Sequence, residues 1–227
     1  MKRVFCVFIV MIFLIILVAC SNIHLVSKNN KSYNDLENVS IEKSTNVTIN
    51  NSNLLNNTFD AAVKINDEVY FFRKNEYLKY DIASNGVDPG YPLPISDPTS
   101  NWDGFPSDWT EIDDAVQINN KVYFFNGSEY LKYDIASHEV DPGYPLPISY
   151  WVGFPSDWTE IDAAVNIDNK VYFFRKNQYL KYDIASQRVD PGYPLPISYW
   201  SGFPSDWTEI DAAVNFGNGK IYFFRKK

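Results

Sequence analysis

From Ser21 to Lys227 the chain contains no cysteine, because its only two, Cys6 and Cys20, fall in the first twenty residues. The long remainder therefore has no disulfide staple, no cysteine-based metal site and no thiol chemistry. Histidine is nearly as scarce, with only His24 and His138. Cationic side chains are also short: 20 Lys and Arg stand against 28 Asp and Glu, giving a formal net charge of -8. That balance excludes nucleic acid as the expected partner, since phosphates call for a basic face. No HExxH metal motif, GxSxG elbow or phosphate-cradling glycine loop occurs. The many Asp and Glu residues read as surface solvation, and no catalytic pair can be named among them.

Aromatic residues are abundant: 16 Tyr, 16 Phe and 6 Trp, enough for a sizeable core. They recur with a period, the sign of a repeat architecture. Residues 112–160 and 161–209 are both 49 residues long and differ at ten positions. A first copy, residues 59–111, is four residues longer because Asp97 to Trp102 replaces the Tyr150-Trp151 step of copy two. A partial fourth copy occupies residues 210–227.

Residues 1–20 open with Lys2 and Arg3, continue uncharged from Val4 to Ala19, and end Leu17-Val18-Ala19-Cys20. This is the layout of a secretory signal. Its ending resembles the lipobox of bacterial lipoproteins, which implies that Cys20 is acylated and becomes the new amino terminus. A plain cleaved signal and an uncleaved anchor helix are the alternatives. All three expect the rest of the chain outside the cytoplasm, touching a membrane only through that anchor. Residues 21–58 are rich in Asn and Ser, and read as a flexible tether. Within it, Val39 to Ile41 and Val47 to Ile49 alternate as a half-buried strand would.

Each copy predicts short strands joined by turns. In copy three these are Asp162 to Ile167, Lys170 to Phe174 and Tyr179 to Tyr182, with reversals at Asp168-Asn169 and Lys176-Asn177. The second strand is apolar on both faces, as in a sheet covered on both sides. Pro and Gly in Asp-Pro-Gly-Tyr-Pro fix further turns. Units of four strands at a period near 50, buried on both faces, predict blades packed around an axis. The expected fold is all-β, a small four-bladed propeller.

The recurring segments are FDAAV at Phe59 to Val63, VYFF at Val69 to Phe72, YLKYD at Tyr77 to Asp81, and DPGYP followed by Ile95. In these the chain resembles the hemopexin-like repeat family, closest in form to its stand-alone bacterial and plant members. The same module forms the carboxy-terminal domain of matrix metalloproteinases. The resemblance covers residues 59–227 and implies a four-bladed propeller. Two departures stand out. The family closes its ring with a disulfide between first and last blades, for which this chain has no cysteine. The fourth copy carries only the first two strand segments. Three outcomes follow: a tether strand at Val39 to Ile41 or Val47 to Ile49 completes blade four, two molecules pair their edges, or the chain folds poorly.

Asp60, Asp113, Asp162 and Asp211 open the innermost strand of each copy, so fourfold packing brings them to one channel mouth. The resemblance implies that their backbone carbonyls hold a calcium or sodium ion there. It also implies that main-chain groups at Ala62, Ala115, Ala164 and Ala213 line the next level and can meet an anion. The structural alternative is that Asp starts a strand and small Ala lets strands crowd the axis. Heme would need an axial ligand; His24 lies in the tether and His138 in a single copy, so heme is not expected. Tyr77/Tyr80, Tyr130/Tyr133 and Tyr179/Tyr182 with Lys79, Lys132 and Lys181 could contact a sugar, but are expected in the core. The copies diverge at Asn126-Gly127-Ser128 against Arg175-Lys176-Asn177 and at His138-Glu139 against Gln187-Arg188, turns that can carry partner specificity. The leading expectation is an exported, non-catalytic binding module for a protein or surface glycan. The alternatives are a carrier of heme or a polyamine, and a structural protein that assembles through its incomplete blade.

Overall fold

The structure, a computed structural model, describes residues 23–27, 40–42, 59–96, 102–217 and 219–225. Two strands precede the repeats, β1 (Ile23–Ser27) and β2 (Ser40–Glu42). Copy one supplies β3 (Ala61–Ile65), β4 (Glu68–Arg73), β5 (Glu76–Asp81), β6 (Gly86–Val87) and β7 (Leu93–Pro94). Copy two repeats this with β8 (Asp114–Ile118), β9 (Lys121–Asn126), β10 (Glu129–Asp134), β11 (Glu139–Val140) and β12 (Leu146–Pro147). Copy three gives β13 (Ala163–Ile167), β14 (Lys170–Arg175), β15 (Gln178–Asp183), β16 (Arg188–Val189) and β17 (Leu195–Pro196). Copy four gives β18 (Ala212–Asn215) and β19 (Lys220–Phe224).

Each full copy folds as one antiparallel sheet in chain order, with its outer edge made of two short strands on the same side of the third. In copy three, β15 takes β16 at Tyr182↔Val189 and β17 at Tyr179↔Leu195. Between them Pro191 and Gly192, the latter at φ +91°, carry the chain out of the ladder. Pro196 sits on the sheet edge, where its missing N–H breaks no ladder bond. The hairpin turns fall at Asp168 and Asn169 and at Lys176, all at positive φ.

The inner strands β3, β8, β13 and β18 pack each against the next, and β18 returns to β3, so the four sheets form a closed four-bladed propeller. Four apolar clusters fill the four junctions between blades. In the junction between blades two and three, Val116 and Phe125 meet Ala164, Val171 and Phe173. The strands buried on both faces are the ones with unbroken apolar runs, such as β14, in which Val171 to Phe174 are all buried.

Blade four is assembled from both ends of the chain. The fourth repeat provides only β18 and β19, and the sheet continues β18-β19-β1-β2. Strand β1 lies antiparallel to β19 in the register Ile23↔Phe224 to Ser27↔Lys220. Strand β2 pairs with β1 at Val26↔Ile41. The segment read as a tether thus contributes two strands. Ser40 and Ile41 of the Val39 to Ile41 candidate form the outermost strand, while the β19 edge is taken by Ile23–Ser27, which the sequence pattern did not single out. Val47 to Ile49 lies outside the described residues, as do Cys20 and the signal layout.

Candidate functional site: the axial channel

The channel has two unlike mouths. Asp60, Asp113, Asp162 and Asp211 are gathered at one of them, around a cavity of about 300 Å³ that Glu111 and Glu160 also line. The position of each aspartate follows from its own blade. Its N–H donates to the carbonyl of the second strand, Asp60 to Phe72 at 2.9 Å, Asp113 to Phe125 at 2.9 Å, Asp162 to Phe174 at 3.0 Å and Asp211 to Phe224 at 2.9 Å. The carboxylates of Asp60, Asp113 and Asp162 then turn toward the hairpin beyond that strand. Asp60 Oδ2 accepts the Lys74 N–H at 2.7 Å, Asp113 Oδ2 the Gly127 N–H at 2.6 Å, and Asp162 Oδ2 the Lys176 N–H at 2.5 Å. Lys74, Gly127 and Lys176 each sit at φ 53°, so the aspartate ties down a turn that costs the two lysines some backbone strain and the glycine none.

Those bonds direct the carboxylates toward the turns, and among the described residues no three His, Cys, Asp or Glu side chains converge as a metal cluster. The mouth is nonetheless strongly negative. The Asp162 carboxyl is pushed above its ordinary range, chiefly by burial, with Glu160 and Asp211 adding to the shift and the Lys176 N–H opposing it.

Ala62, Ala115, Ala164 and Ala213 are buried and line a second cavity, of about 370 Å³, toward the opposite mouth. Each also belongs to a junction cluster, which explains the small side chain: a larger one would push two inner strands apart. The opposite mouth carries Lys64, Gln117, Asn166, Asn215 and Asp168. Sequence reasoning passed over this set, although the change from Lys to Gln to Asn at one repeat position was visible.

The repeated tyrosines lie in the core as expected, from Tyr77 at 1% exposure to Tyr182 at 8%. Their lysines are ion-paired: Lys79 with Asp88 at 2.9 Å, Lys132 with Asp141 at 3.0 Å and Lys181 with Asp190 at 3.4 Å. A sugar-stacking role for this set loses its surface. Among the described residues the exposed aromatics are instead Tyr150 and Tyr199, 63% and 67% exposed, at the ends of short 3-10 turns after blades two and three. His138 is an exposed turn residue at φ 62°.

Asp114 and three connector tryptophans also escaped the sequence reading. Asp114 is wholly buried and, among the described residues, neither carboxyl oxygen has a partner in hydrogen-bond geometry, at a position where the other copies have Ala61, Ala163 and Ala212. The connector tryptophans Trp102, Trp151 and Trp200 are core residues, and Trp151 contacts Phe125 and Tyr130 of blade two and Phe173 and Tyr182 of blade three.

Comparison with known proteins agrees with this geometry. The Hemopexin family model matches residues 59–107, 112–156 and 161–205, more than half of the chain. Interstitial collagenase B of Mus musculus is 36% identical over 91 residues, which are 38% of this chain and 18% of the collagenase. The chain thus spans less than a fifth of that relative's length. A seed albumin from Lathyrus sativus superposes with TM-score 0.57 at 25% identity, over 74% of this chain and 82% of that one. A plant lectin with two metal binding sites, from Cicer arietinum, has the same TM-score of 0.57 at 21% identity, over 75% and 84%. The chain belongs to the hemopexin family.

Proposed function

We propose that this chain is an exported, non-catalytic hemopexin-fold binding module, anchored through an acylated Cys20, that recognises a protein or surface glycan through its blade loops. The observation that carries this reading is where the nearly identical copies differ. Apart from Asp114 against Ala163 their buried side chains repeat, whereas Asn126-Gly127-Ser128 against Arg175-Lys176-Asn177 and His138-Glu139 against Gln187-Arg188 lie at turns with exposed residues. Tyr150 and Tyr199 stand exposed on neighbouring connectors, the residue type that interfaces favour. The likeness to a plant lectin supports a glycan as one class of partner.

A calcium or sodium ion belongs to the same reading, at the acidic mouth. Main-chain oxygens at Asp60, Asp113, Asp162 and Asp211 would hold it, within the negative potential of six carboxylates. Its work there is to tie the four blades together. The acidic mouth also favours a second reading, a carrier of a cationic small ligand such as a polyamine. Heme finds no imidazole on the channel lining among the described residues.

Thermal unfolding of the full chain in calcium, in spermidine and in chelator tests the mouth. A rise in the midpoint with calcium that sodium matches only weakly supports the structural ion, through linkage. A larger rise with spermidine shifts the reading to the carrier, and no rise with either removes both. Binding to an immobilised glycan panel tests the module itself: Tyr150→Ala with Tyr199→Ala is expected to weaken it by about tenfold or more, the loss of one or two aromatic contacts.

A further inference from the structure

Strand direction gives the propeller two distinct faces. The second strand of each blade ends beside the aspartate mouth, where the Asp211 N–H donates to Phe224 O at 2.9 Å as the Asp162 N–H does to Phe174 O at 3.0 Å. The hairpin that follows it, Asn126-Gly127-Ser128 or Arg175-Lys176-Asn177, therefore lies on that acidic face. The third strand runs back, so its closing turn, at His138-Glu139 or Gln187-Arg188, lies on the opposite face.

Strand β1 enters blade four at the acidic face, with Ile23 opposite Phe224 and Ser27 opposite Lys220 at the far end. Only Ser21 and Asn22 separate Ile23 from Cys20, a reach of about 10 Å at full extension. To turn the opposite face toward a membrane, the chain before Ile23 would have to run back along all of β1, about 14 Å, and beyond it. It is too short to do so. The exposed Tyr150 and Tyr199 stand on the acidic side as well. The 3-10 turns that end in them begin where the Ile148 N–H donates to Ser128 O and the Ile197 N–H to Asn177 O, both at 2.9 Å. Tyrosine suits the headgroup level of a bilayer. Carboxylates on this face are repelled by anionic headgroups, but a gap of about 10 Å is near one Debye length at physiological salt. The buried methylenes of an acyl anchor outweigh the screened remainder.

Resting on the acylated Cys20 of the proposed function, we propose that the acidic face is turned toward the membrane, with blade four nearest the bilayer and the opposite face presented outward. A glycan met by Tyr150 and Tyr199 is then one carried on the same membrane. A partner arriving from outside meets the turns at His138-Glu139 and Gln187-Arg188.

The test is thiol labelling of the full acylated protein, its lipid inserted from outside into preformed phospholipid vesicles. The repeats contain no cysteine, so one introduced thiol is unique once Cys20 carries its lipid. Asn75→Cys and Asn177→Cys place it in acidic-face turns of the blades flanking blade four, and Ser84→Cys and Ser186→Cys in opposite-face turns of the same blades, all at exposed positions. Unchanged unfolding midpoints check that the variants fold. A bulky polyethylene-glycol maleimide should label positions 75 and 177 about tenfold or more slowly on vesicles than after detergent release, and positions 84 and 186 within about twofold, because the gap is only about 10 Å. Equal slowing of both sets, or slowing at 84 and 186 alone, with lipid present on the amino-terminal peptide, overturns the orientation and leaves the anchor standing. An amino-terminal peptide mass without lipid overturns the anchored reading and the orientation with it.

Discussion

Asp114 shows how much one residue can depart from its repeat. Strand alternation places it on the side of Val116 and Ile118, both in the cluster between blades two and three. Burial pushes its carboxyl well above the ordinary range, Asp113 and Asp162 push it further, and only the adjacent Ala115 N–H opposes. The native state therefore keeps this proton to a higher pH than the unfolded chain, whose carboxyl titrates near about 3.9. Stability must fall as pH rises from the unfolded value toward the folded one, and stay lower above it. Asp114→Ala restores the residue of the sister copies and is expected to stabilise the fold at pH 7 by about 1–3 kcal/mol, the cost of an unsatisfied buried polar group. That corresponds to about 2–4 °C in Tm for each kcal/mol. The gain should shrink toward pH 4. Melting curves at both pH values check it, and a gain independent of pH would contradict the account.

At the scale of the strand, β1 carries the closure that a disulfide would otherwise provide. It covers the β19 edge with main-chain bonds, in a register matching β15 on β14: Ser27 faces Lys220 as Asp183 faces Lys170. Val26→Pro removes a backbone donor from β1 and cannot sit comfortably inside a paired strand. Faster hydrogen exchange at Ile221 to Phe224 and a lower unfolding midpoint are expected, while exchange in β9 changes little below the global transition. Unchanged protection of β19 would mean that β1 does not close the ring. The three full copies were legible nearly to the residue. Copy-three strands expected at Asp162 to Ile167 and Lys170 to Phe174 are found at Ala163–Ile167 and Lys170–Arg175. Asp162 lies just before its strand, its N–H still on Phe174 O and its carboxylate on the Lys176 turn. That role was hidden, since its partner is a backbone N–H fourteen residues on and carries no side-chain signature. The same reason hid β1: its pairing with β19 is a main-chain register, and it shares no motif with the Tyr-Leu-Lys-Tyr-Asp strands it replaces. Pro and Gly in the connector Gly-Phe-Pro-Ser-Asp-Trp mark turns, yet its Trp158 is 3% exposed in the junction between blades two and three.

For the whole molecule, closure changes what a local defect does. An open array of repeats can lose one unit and keep its neighbours, because each repeat touches only those beside it. Here every junction is built from the side chains of two blades, and the fourth junction joins Tyr222 and Phe224 to Phe71 and Tyr80 of blade one. Trp151 occupies the second junction, with ring centroids 4.9 Å from Tyr182 and 6.1 Å from Phe125. Trp151→Ala is expected to cost about 3–5 kcal/mol, as for other buried aromatics cut to alanine. Trp151→Phe should cost less, because the indole N–H has no partner to lose. Both variants should move one cooperative transition downward without splitting it, with fluorescence and circular dichroism melting together. Reductant should leave that transition in place, since the four blades contain no cysteine. If blades three and four instead melt apart from one and two in Trp151→Ala, each junction is an independent unit, and neither β1 nor an axial ion couples the ring.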